Sequence, residues 1–386
     1  MEDIPWQSPA APGFFSPETG IYHSKHRPAA LPQDPFMDLV SHVFSSPHQG
    51  VTALVDSRSG ASIAHAELRC MVRSLASGLG RVGITSKDVV LVMLPNSILF
   101  PVVFLGVLSV GAVFSTMNPL SSPEEIKKQM SLCRFTLIFT APDNVAKLGG
   151  LGVKIVTVPE ELEFDARKFV LFNDLISSDP NDAPRPVIRQ TDTAAILFSS
   201  GTTGASKGVV LTHRNLIATV ELFVRFESSL YGTESWRNVY LTAIPMFHVY
   251  GLSLFSMGLL SLGSTVVVMR RFGVEEAVRA IVAFKVTHFP AVPPIMTALT
   301  RAKGATGCRL QSLVQVSCGA APVAPKAVRD FLKAFPHVDF IQVIALPIVT
   351  PYKKVREVVF VNSIPRSPAG KTLRRKLRDK LAVSRM

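Results

Sequence analysis

The sequence is poor in charge, poor in cysteine and without an apolar leader, and each shortage excludes a class of protein. Only 18% of its 386 residues are charged and 47% are hydrophobic, which argues against a disordered chain. No apolar signal segment follows its acidic start, so we expect a reducing interior compartment. That expectation agrees with the cysteines, which show no CxxC pair and no metal-ligand spacing: Cys70, Cys133, Cys308 and Cys318.

Two stretches lack charge altogether and raise a membrane alternative. Residues 89–123 and 249–269 are uncharged over 35 and 21 residues, enough on length alone to cross a bilayer of ~30 Å. Prolines, asparagines and glycines interrupt the first stretch, and Gly263-Ser264 breaks the second. We therefore predict buried elements rather than an integral membrane protein: strand Val89–Leu94, helix Ser97–Ser109, strand Ala112–Thr116, a buried helix from Val249, and strand Thr265–Met269.

The rest of the chain alternates between strand and helix patterns. Residues 66–82 carry apolar positions at helical spacing and stop at Gly83, and Ser122-Pro123-Glu124-Glu125 is typical of a helix start. This alternation predicts an α/β fold with largely parallel sheets. A proline-containing connector spans residues 174–189, and the length predicts at least two folding units. Further predicted strands and helices are 136–140, 239–243, 274–284, 286–289, 313–316 and 325–335.

The net charge of +13 is concentrated at the C-terminus. Residues 353–386 contain 11 Lys and Arg against only Glu357 and Asp379. Within this segment, the run Arg374-Arg375-Lys376-Leu377-Arg378-Asp379-Lys380 can bind nucleic acid or an anionic membrane, but no aromatic residue is interleaved in it to stack on bases. A solvated helix face is favoured, and we expect no nucleic-acid partner.

The most informative segment is Ser199-Ser-Gly-Thr-Thr-Gly-Ala-Ser-Lys-Gly208, which lies between the apolar runs 194–198 and 209–211. The runs predict two strands joined by a loop. Glycines allow backbone N–H groups to turn toward an anion, hydroxyls donate hydrogen bonds, and Lys207 adds a positive charge, so the loop predicts a phosphate site. It is not a Walker A motif, because Ser206 stands where a glycine is required. A flexible surface turn is the alternative.

Four segments together resemble the adenylate-forming acyl-CoA ligases, most closely the plant 4-coumarate–CoA ligase-like branch. They are the loop above, Ile244-Pro-Met-Phe-His-Val-Tyr-Gly251, Ser317-Cys-Gly-Ala-Ala-Pro322 and Ile364-Pro-Arg-Ser-Pro-Ala-Gly-Lys-Thr-Leu-Arg-Arg375, in the family's order. The resemblance runs from about Tyr22 to the C-terminus. It implies a large N-terminal body (1–342), a junction (343–352) and a remnant of a small α+β lid domain (353–386).

The resemblance also implies roles for particular residues. Lys371 and His248 are the implied catalytic residues, and Arg271 is implied to contact CoA. His248 and Tyr250 would shape the acyl pocket, with Ala320 leaving a slot for an adenine ring or an aromatic acyl group. The implied ATP and AMP contacts are Ser199, Ser200, Gly201, Thr202, Thr203, Lys207 and Gln342.

Each of these residues also has a simpler interpretation. His248 could be a buried core histidine, and Ala320 could belong to an ordinary turn after a strand. Arg271 and Lys371 could be exposed surface charges.

The implied reaction is carboxylate activation. A carboxylate attacks the α-phosphorus of Mg²⁺-ATP, pyrophosphate leaves, and the thiol of CoA captures the acyl-adenylate. Implied acids are hydroxycinnamate-like, fatty or jasmonate-precursor-like. The cofactors and co-substrates would be ATP, Mg²⁺ and CoA, and no residue of this chain is assigned to the metal.

The sequence departs from the family after Gln342, where a Gly-Tyr-Gly-Met-Thr-Glu motif should follow. A block that carries the family's magnesium acid, ribose-binding aspartate and hinge is missing between about residues 342 and 350. The alternative to an active ligase is therefore a catalytically impaired, truncated isoform. It would bind nucleotide or acyl ligand weakly, or pair with a full-length partner.

The C-terminal triplet Ser384-Arg385-Met386 is similar to the Ser-Lys-Leu peroxisomal address. It predicts a peroxisomal location, with the cytoplasm as the alternative.

Overall fold

The computed structural model describes residues 15–16, 21–22, 31–45, 51–86, 88–200, 206–225, 234–306, 310–321 and 323–342. The helices are α1 (Leu39–Val43), α2 (His65–Arg81), α3 (Leu99–Ser109), α4 (Pro123–Met130), α5 (Val145–Leu148), α6 (Val170–Ile176), α7 (His213–Thr219), α8 (Val249–Ser253), α9 (Leu259–Ser261), α10 (Val274–Ala283), α11 (Pro293–Thr306) and α12 (Pro325–Ala334). The strands are β1 (Phe15–Ser16), β2 (Ile21–Tyr22), β3 (Thr52–Asp56), β4 (Ser62–Ala64), β5 (Val89–Met93), β6 (Val113–Thr116), β7 (Leu137–Thr140), β8 (Lys154–Thr157), β9 (Thr193–Ser200), β10 (Ser206–Thr212), β11 (Val239–Thr242), β12 (Thr265–Val268), β13 (His288–Ala291), β14 (Gln315–Cys318) and β15 (Asp339–Gln342).

A six-stranded sheet has the order β10-β9-β6-β5-β7-β8. Its strands are parallel except for β10, which pairs antiparallel with β9. Strand β5 and helix α3 are almost entirely buried, because helices cover both faces of such a sheet. The uncharged stretch 89–123 therefore folds as buried strand, helix and strand, as predicted. In the described part of the chain, no helix has both the length and the apolar character needed to cross a membrane.

A second sheet has seven strands in the order β15-β14-β13-β11-β12-β3-β4. All neighbours are parallel except the hairpin of β3 and β4. Helices α10, α11 and α12 bury apolar side chains against this sheet, among them Ile281, Leu299 and Phe331. A separate two-stranded antiparallel sheet consists of β1 and β2.

The two large sheets share one hydrophobic core. Val90 and Phe114 of the six-stranded sheet belong to the same buried cluster as Leu54 and Val266 of the seven-stranded sheet. At the centre of this core, the rings of Phe104 and Phe114 meet edge to face with centroids 4.8 Å apart. Burial of aromatic side chains of this size is a leading contribution to stability.

The predicted α/β fold with largely parallel sheets is confirmed. Helix α2 and strands β5, β6 and β12 lie within two residues of their predicted bounds. Helix α4 begins at Pro123 after the N-cap Ser122, as predicted, and ends at Met130. Short π-helical turns at Val220–Arg225 and Leu254–Gly258 were not predicted. The domain boundaries stay a prediction, because residues 343–386 lie outside the described part of the chain.

Candidate functional site

The predicted phosphate loop joins the two strands of a hairpin. Strand β9 ends at Ser200 and pairs with β10 so that Lys207 lies opposite Ser199. The exposed Lys207 is the second residue of β10. The predicted nucleotide contacts Gly201, Thr202 and Thr203 lie outside the described residues. What the structure establishes is the pair of antiparallel strands on either side of residues 201–205, which the sequence predicted.

Four other predicted site residues follow the carboxyl ends of parallel strands in the seven-stranded sheet. His248 follows β11, Arg271 follows β12, Ala320 follows β14, and Gln342 is the last residue of β15. Carboxyl ends of parallel strands meet at one edge of a sheet, where α/β proteins bind their ligands. The topology thus brings these four residues to one edge. Lys371 lies outside the described residues.

His248 begins helix α8 rather than filling the core. It is exposed, and its backbone is extended, as expected for a residue that precedes a helix. Its Nδ1 accepts a hydrogen bond from the N–H of Tyr250 at 3.4 Å, so a neutral ring carries its proton on Nε2. The alternative of a buried core histidine is therefore wrong. Tyr250, the second predicted acyl-pocket residue, is half-buried on α8.

The segment before His248 folds tightly against α8. The N–H of His248 donates to the carbonyl of Pro245 at 3.2 Å. A Cβ atom on Gly251 would lie only 2.2 Å from the same carbonyl oxygen, so this position requires glycine. The chain from Pro245 to Gly251 is consequently a compact unit that fixes where His248 begins the helix.

At this edge a side chain next to one sheet bonds to the backbone next to the other. Asn96 follows β5 of the six-stranded sheet, and its Nδ2 donates to the carbonyl of Ile244 at 3.0 Å and to that of Met269 at 3.1 Å. Its Oδ1 accepts from the N–H of Met246 at 2.7 Å. Residues 244–246 and Met269 belong to the seven-stranded sheet's side, so the carboxyl edges of the two sheets face each other. We call this region the sheet junction.

A charged contact closes the same junction. Arg270, which follows β12, pairs with Glu160 after β8 and lies 3.9 Å from Asp143 after β7. The guanidinium is about one-third exposed, so these pairs contribute less than buried ones would. The neighbouring Arg271 points elsewhere, because it lines a separate cleft.

That cleft has a volume of 510 Å³ and lies beside the carboxyl ends of β3 and β12. Its arginines come from three elements: Arg58 from the β3–β4 turn, Arg271 from the end of β12, and Arg279 from α10. No carboxylate of the described residues pairs with any of them. Guanidinium groups not held by carboxylates are suited to phosphates. The other residues that line the cleft are Phe272, Gly273, Glu275 and Glu276.

The small-residue turn after β14 has a special backbone. Ala320 has φ of 65°, the left-handed region that a residue with a side chain seldom adopts. It is exposed, and the preceding Gly319 donates its N–H to Ala291 at 3.1 Å. Gln342 pairs across the strands with Cys318, whose pKa is raised to about 11 by burial. That thiol stays protonated at neutral pH and is no nucleophile.

Sequence reasoning did not identify Asn96 or Arg58. Asn96 follows a predicted strand and a proline, a pattern that is typical of an ordinary turn. Arg58 and Arg271 are far apart in sequence, and only the pairing of β3 with β12 brings them together. Among the described residues there is no group of three or more His, Cys, Asp or Glu side chains that could hold a metal ion.

The fold with these features at its sheet junction is the α/β fold of adenylate-forming enzymes. Its likeness to a long-chain-fatty-acid-CoA ligase from Archaeoglobus fulgidus has a TM-score of 0.70 at 22% identity, covering 83% of this chain and 66% of that one.

The chain belongs to the AMP-binding enzyme family, whose model matches residues 44–346. It is 54% identical over 335 residues to 4-coumarate–CoA ligase-like 6 of Arabidopsis thaliana, covering 86% of this chain and 59% of that protein. It is 51% identical over 354 residues to 4-coumarate–CoA ligase-like 3 of Oryza sativa subsp. japonica, with coverage of 86% and 60%. The chain thus spans about three-fifths of the length of these relatives.

Proposed function

We propose that the protein is an acid–thiol ligase, which uses Mg²⁺-ATP to convert a carboxylic acid to an acyl-adenylate and then transfers the acyl group to CoA. Family membership and the names of the two relatives support this reaction class. They favour a hydroxycinnamate-like acid over a fatty or jasmonate-precursor-like one.

The observation that carries the proposal is the position of the carboxyl end of β9 relative to the segment before His248. Strand β9 leads into the loop and is two strands from β5, which is followed by Asn96. Two inter-strand spacings are about 10 Å. Since Asn96 bonds directly to the segment before His248, the carboxyl end of β9 and that segment lie at the same junction, which supports a shared phosphate and acyl site.

In this site the chain's own residues would supply positive charge and orientation. Ser199, Ser200 and Lys207, with Gly201, Thr202 and Thr203, would hold the phosphates. Ala320 and Gln342 would border the adenine. Lys371 would bridge the attacking carboxylate and the α-phosphate, and Arg271 would contact CoA. Mg²⁺ would neutralise the leaving pyrophosphate.

The test is ATP–pyrophosphate exchange with 4-coumarate and with a fatty acid, followed by detection of the CoA thioester. We expect exchange with at least one acid. We expect Lys207→Ala to weaken ATP use by about 10- to 100-fold, as the loss of one charge-assisted hydrogen bond predicts. Lys371→Ala should abolish exchange and leave AMP affinity nearly unchanged. The exposed Lys333→Ala on α12 is the control and should behave as wild type.

A second candidate is a non-catalytic relative that binds nucleotide or acyl ligand, alone or with a full-length partner. The end of the family motif at Gln342 favours it. AMP binding without exchange on any acid would select this second candidate. Absence of both would contradict the two proposals together.

A further inference from the structure

Asn96 is a buried side chain that connects the two sheets at the junction by hydrogen bonds to backbone groups. It is only 5% exposed, and its amide makes three hydrogen bonds to backbone groups across the junction. Two of its partners are carbonyls, which can only accept, and the third is an N–H, which can only donate. The orientation of the amide is therefore determined by its partners.

These three bonds hold both segments that carry predicted site residues. Ile244 and Met246 flank Pro245, whose carbonyl accepts from the N–H of His248. Met269 is two residues before Arg271, which lines the arginine cleft. The carbonyl of Ile244 also accepts a hydrogen bond from the Thr242 hydroxyl at 3.2 Å. This bond connects the segment held by Asn96 to the last residue of β11. No other described side chain bonds both segments.

We propose that Asn96 is a positioning residue of this site, which holds the His248 segment and the exit of β12 at a fixed distance from the six-stranded sheet. The proposal rests on the proposed function for its meaning in catalysis, but the positioning itself is a property of the fold. A shift of about 1 Å in such a segment is enough to lower the rate or affinity of a site by about 10²-fold.

The variant that tests this is Asn96→Asp, which keeps the shape and the acceptor but replaces the two donors. A carboxylate would then face two carbonyl oxygens in a buried setting, which raises its pKa. When protonated, the carboxyl group can donate one hydrogen bond again. We therefore expect the defect to be large at pH 8 and smaller at pH 6.

Gln190→Glu is a matched control. Gln190 is 3% exposed and its amide also donates to two backbone carbonyls, those of Pro32 and Asp34, while accepting from Arg214. Gln190 lies away from the junction. Its bonds connect residues 31–38 to α7. This variant removes the same two donors without touching the site.

The readouts are affinities for AMP alone and for a coumaroyl-adenylate sulfamate, by calorimetry at pH 8 and pH 6. For Asn96→Asp we expect AMP affinity within about 2-fold of wild type and adenylate affinity about 10-fold lower at pH 8, partly restored at pH 6. For Gln190→Glu we expect wild-type affinities whatever its stability. Equal affinities in Asn96→Asp and wild type, or equal losses in both variants, would overturn the proposal.

A second readout needs no ligand. It therefore applies even if the wild-type protein binds neither probe, a result that would contradict the proposed function but not the positioning role of Asn96. The chain has nine histidines, and the imidazole signal of His248 can be assigned by its loss in His248→Gln. We expect Asn96→Asp to move the His248 signal and Gln190→Glu to leave it in place. An unchanged His248 signal in folded Asn96→Asp would show that Asn96 does not position this segment.

Discussion

At the scale of single residues, a buried histidine with a strongly lowered pKa lies away from the site. His288 is at the first position of β13, the edge of the sheet opposite to the junction. Its ring stacks on Tyr240 with centroids 4.7 Å apart, and its Nδ1 lies 2.8 Å from the Thr287 hydroxyl. Burial lowers the pKa of His288 from 6.5 to about 4. His288 is therefore a structural residue that is neutral in the folded protein.

This predicts a loss of stability in acid. The unfolded chain binds a proton at His288 near pH 6.5 and the folded one only near pH 4, so the contribution is complete above pH 6.5 and is lost as pH falls toward 4. At pH 5 the loss is about 2 kcal/mol in the free energy of unfolding. Urea unfolding at pH 7.5 and pH 5 measures it.

His288→Gln separates this effect from that of His213, whose pKa is lowered mainly by burial and which acts in the same direction. The variant should lose less stability than wild type between the two pH values. Identical losses would mean that His288 does not cause the pH dependence.

At the scale of elements, α8 contains a position that requires glycine. We expect Gly251→Ala to destabilise the protein by about 1–3 kcal/mol, because its Cβ would overlap the Pro245 carbonyl. The change should also move His248. Gly273→Ala at the start of α10 is the comparison, since its nearest neighbour would be 3.9 Å away. Thermal unfolding of both variants is the measurement. A Gly251→Ala melting temperature equal to that of Gly273→Ala would contradict the packing argument.

The elements show what the sequence could and could not predict. The uncharged stretch 89–116 predicted buried strand, helix and strand, because prolines, asparagines and glycines interrupt it too often for one membrane-spanning helix. The π-helical turn at Leu254–Gly258 left no signal, since its surroundings are apolar on every side and carry no periodicity.

The site shows the same division. Its motifs identified the hairpin and the His248 segment, which are continuous in sequence. Asn96 and Arg58 meet the other site residues only because the strand order brings distant segments of the chain together, and the sequence does not show that order. The roles of the predicted site residues, and the peroxisomal location from Ser384-Arg385-Met386, stay predictions.

At the scale of the whole molecule, the arginine cleft assembles residues from three separate elements. If it takes the phosphates of CoA, Arg58→Ala and Arg271→Ala should each weaken CoA binding by about 10-fold or more, the loss of one charge-assisted contact. Calorimetry with CoA and with dephospho-CoA gives the affinities, and raised salt should diminish the difference. Arg329→Ala, an exposed arginine on α12, is the charge-matched control. Wild-type CoA affinity in both cleft variants would rule out this assignment.

The bond from Met246 to Asn96 has a consequence for the slow motions of the molecule. The N–H of Met246 is buried and donates to a side chain of the opposite sheet rather than to a strand neighbour. Its hydrogen can exchange with solvent deuterium only when the two sheets separate locally. The exchange rate of this one amide therefore measures how often the junction opens. We expect that rate to fall when a ligand that contacts both sheets is bound.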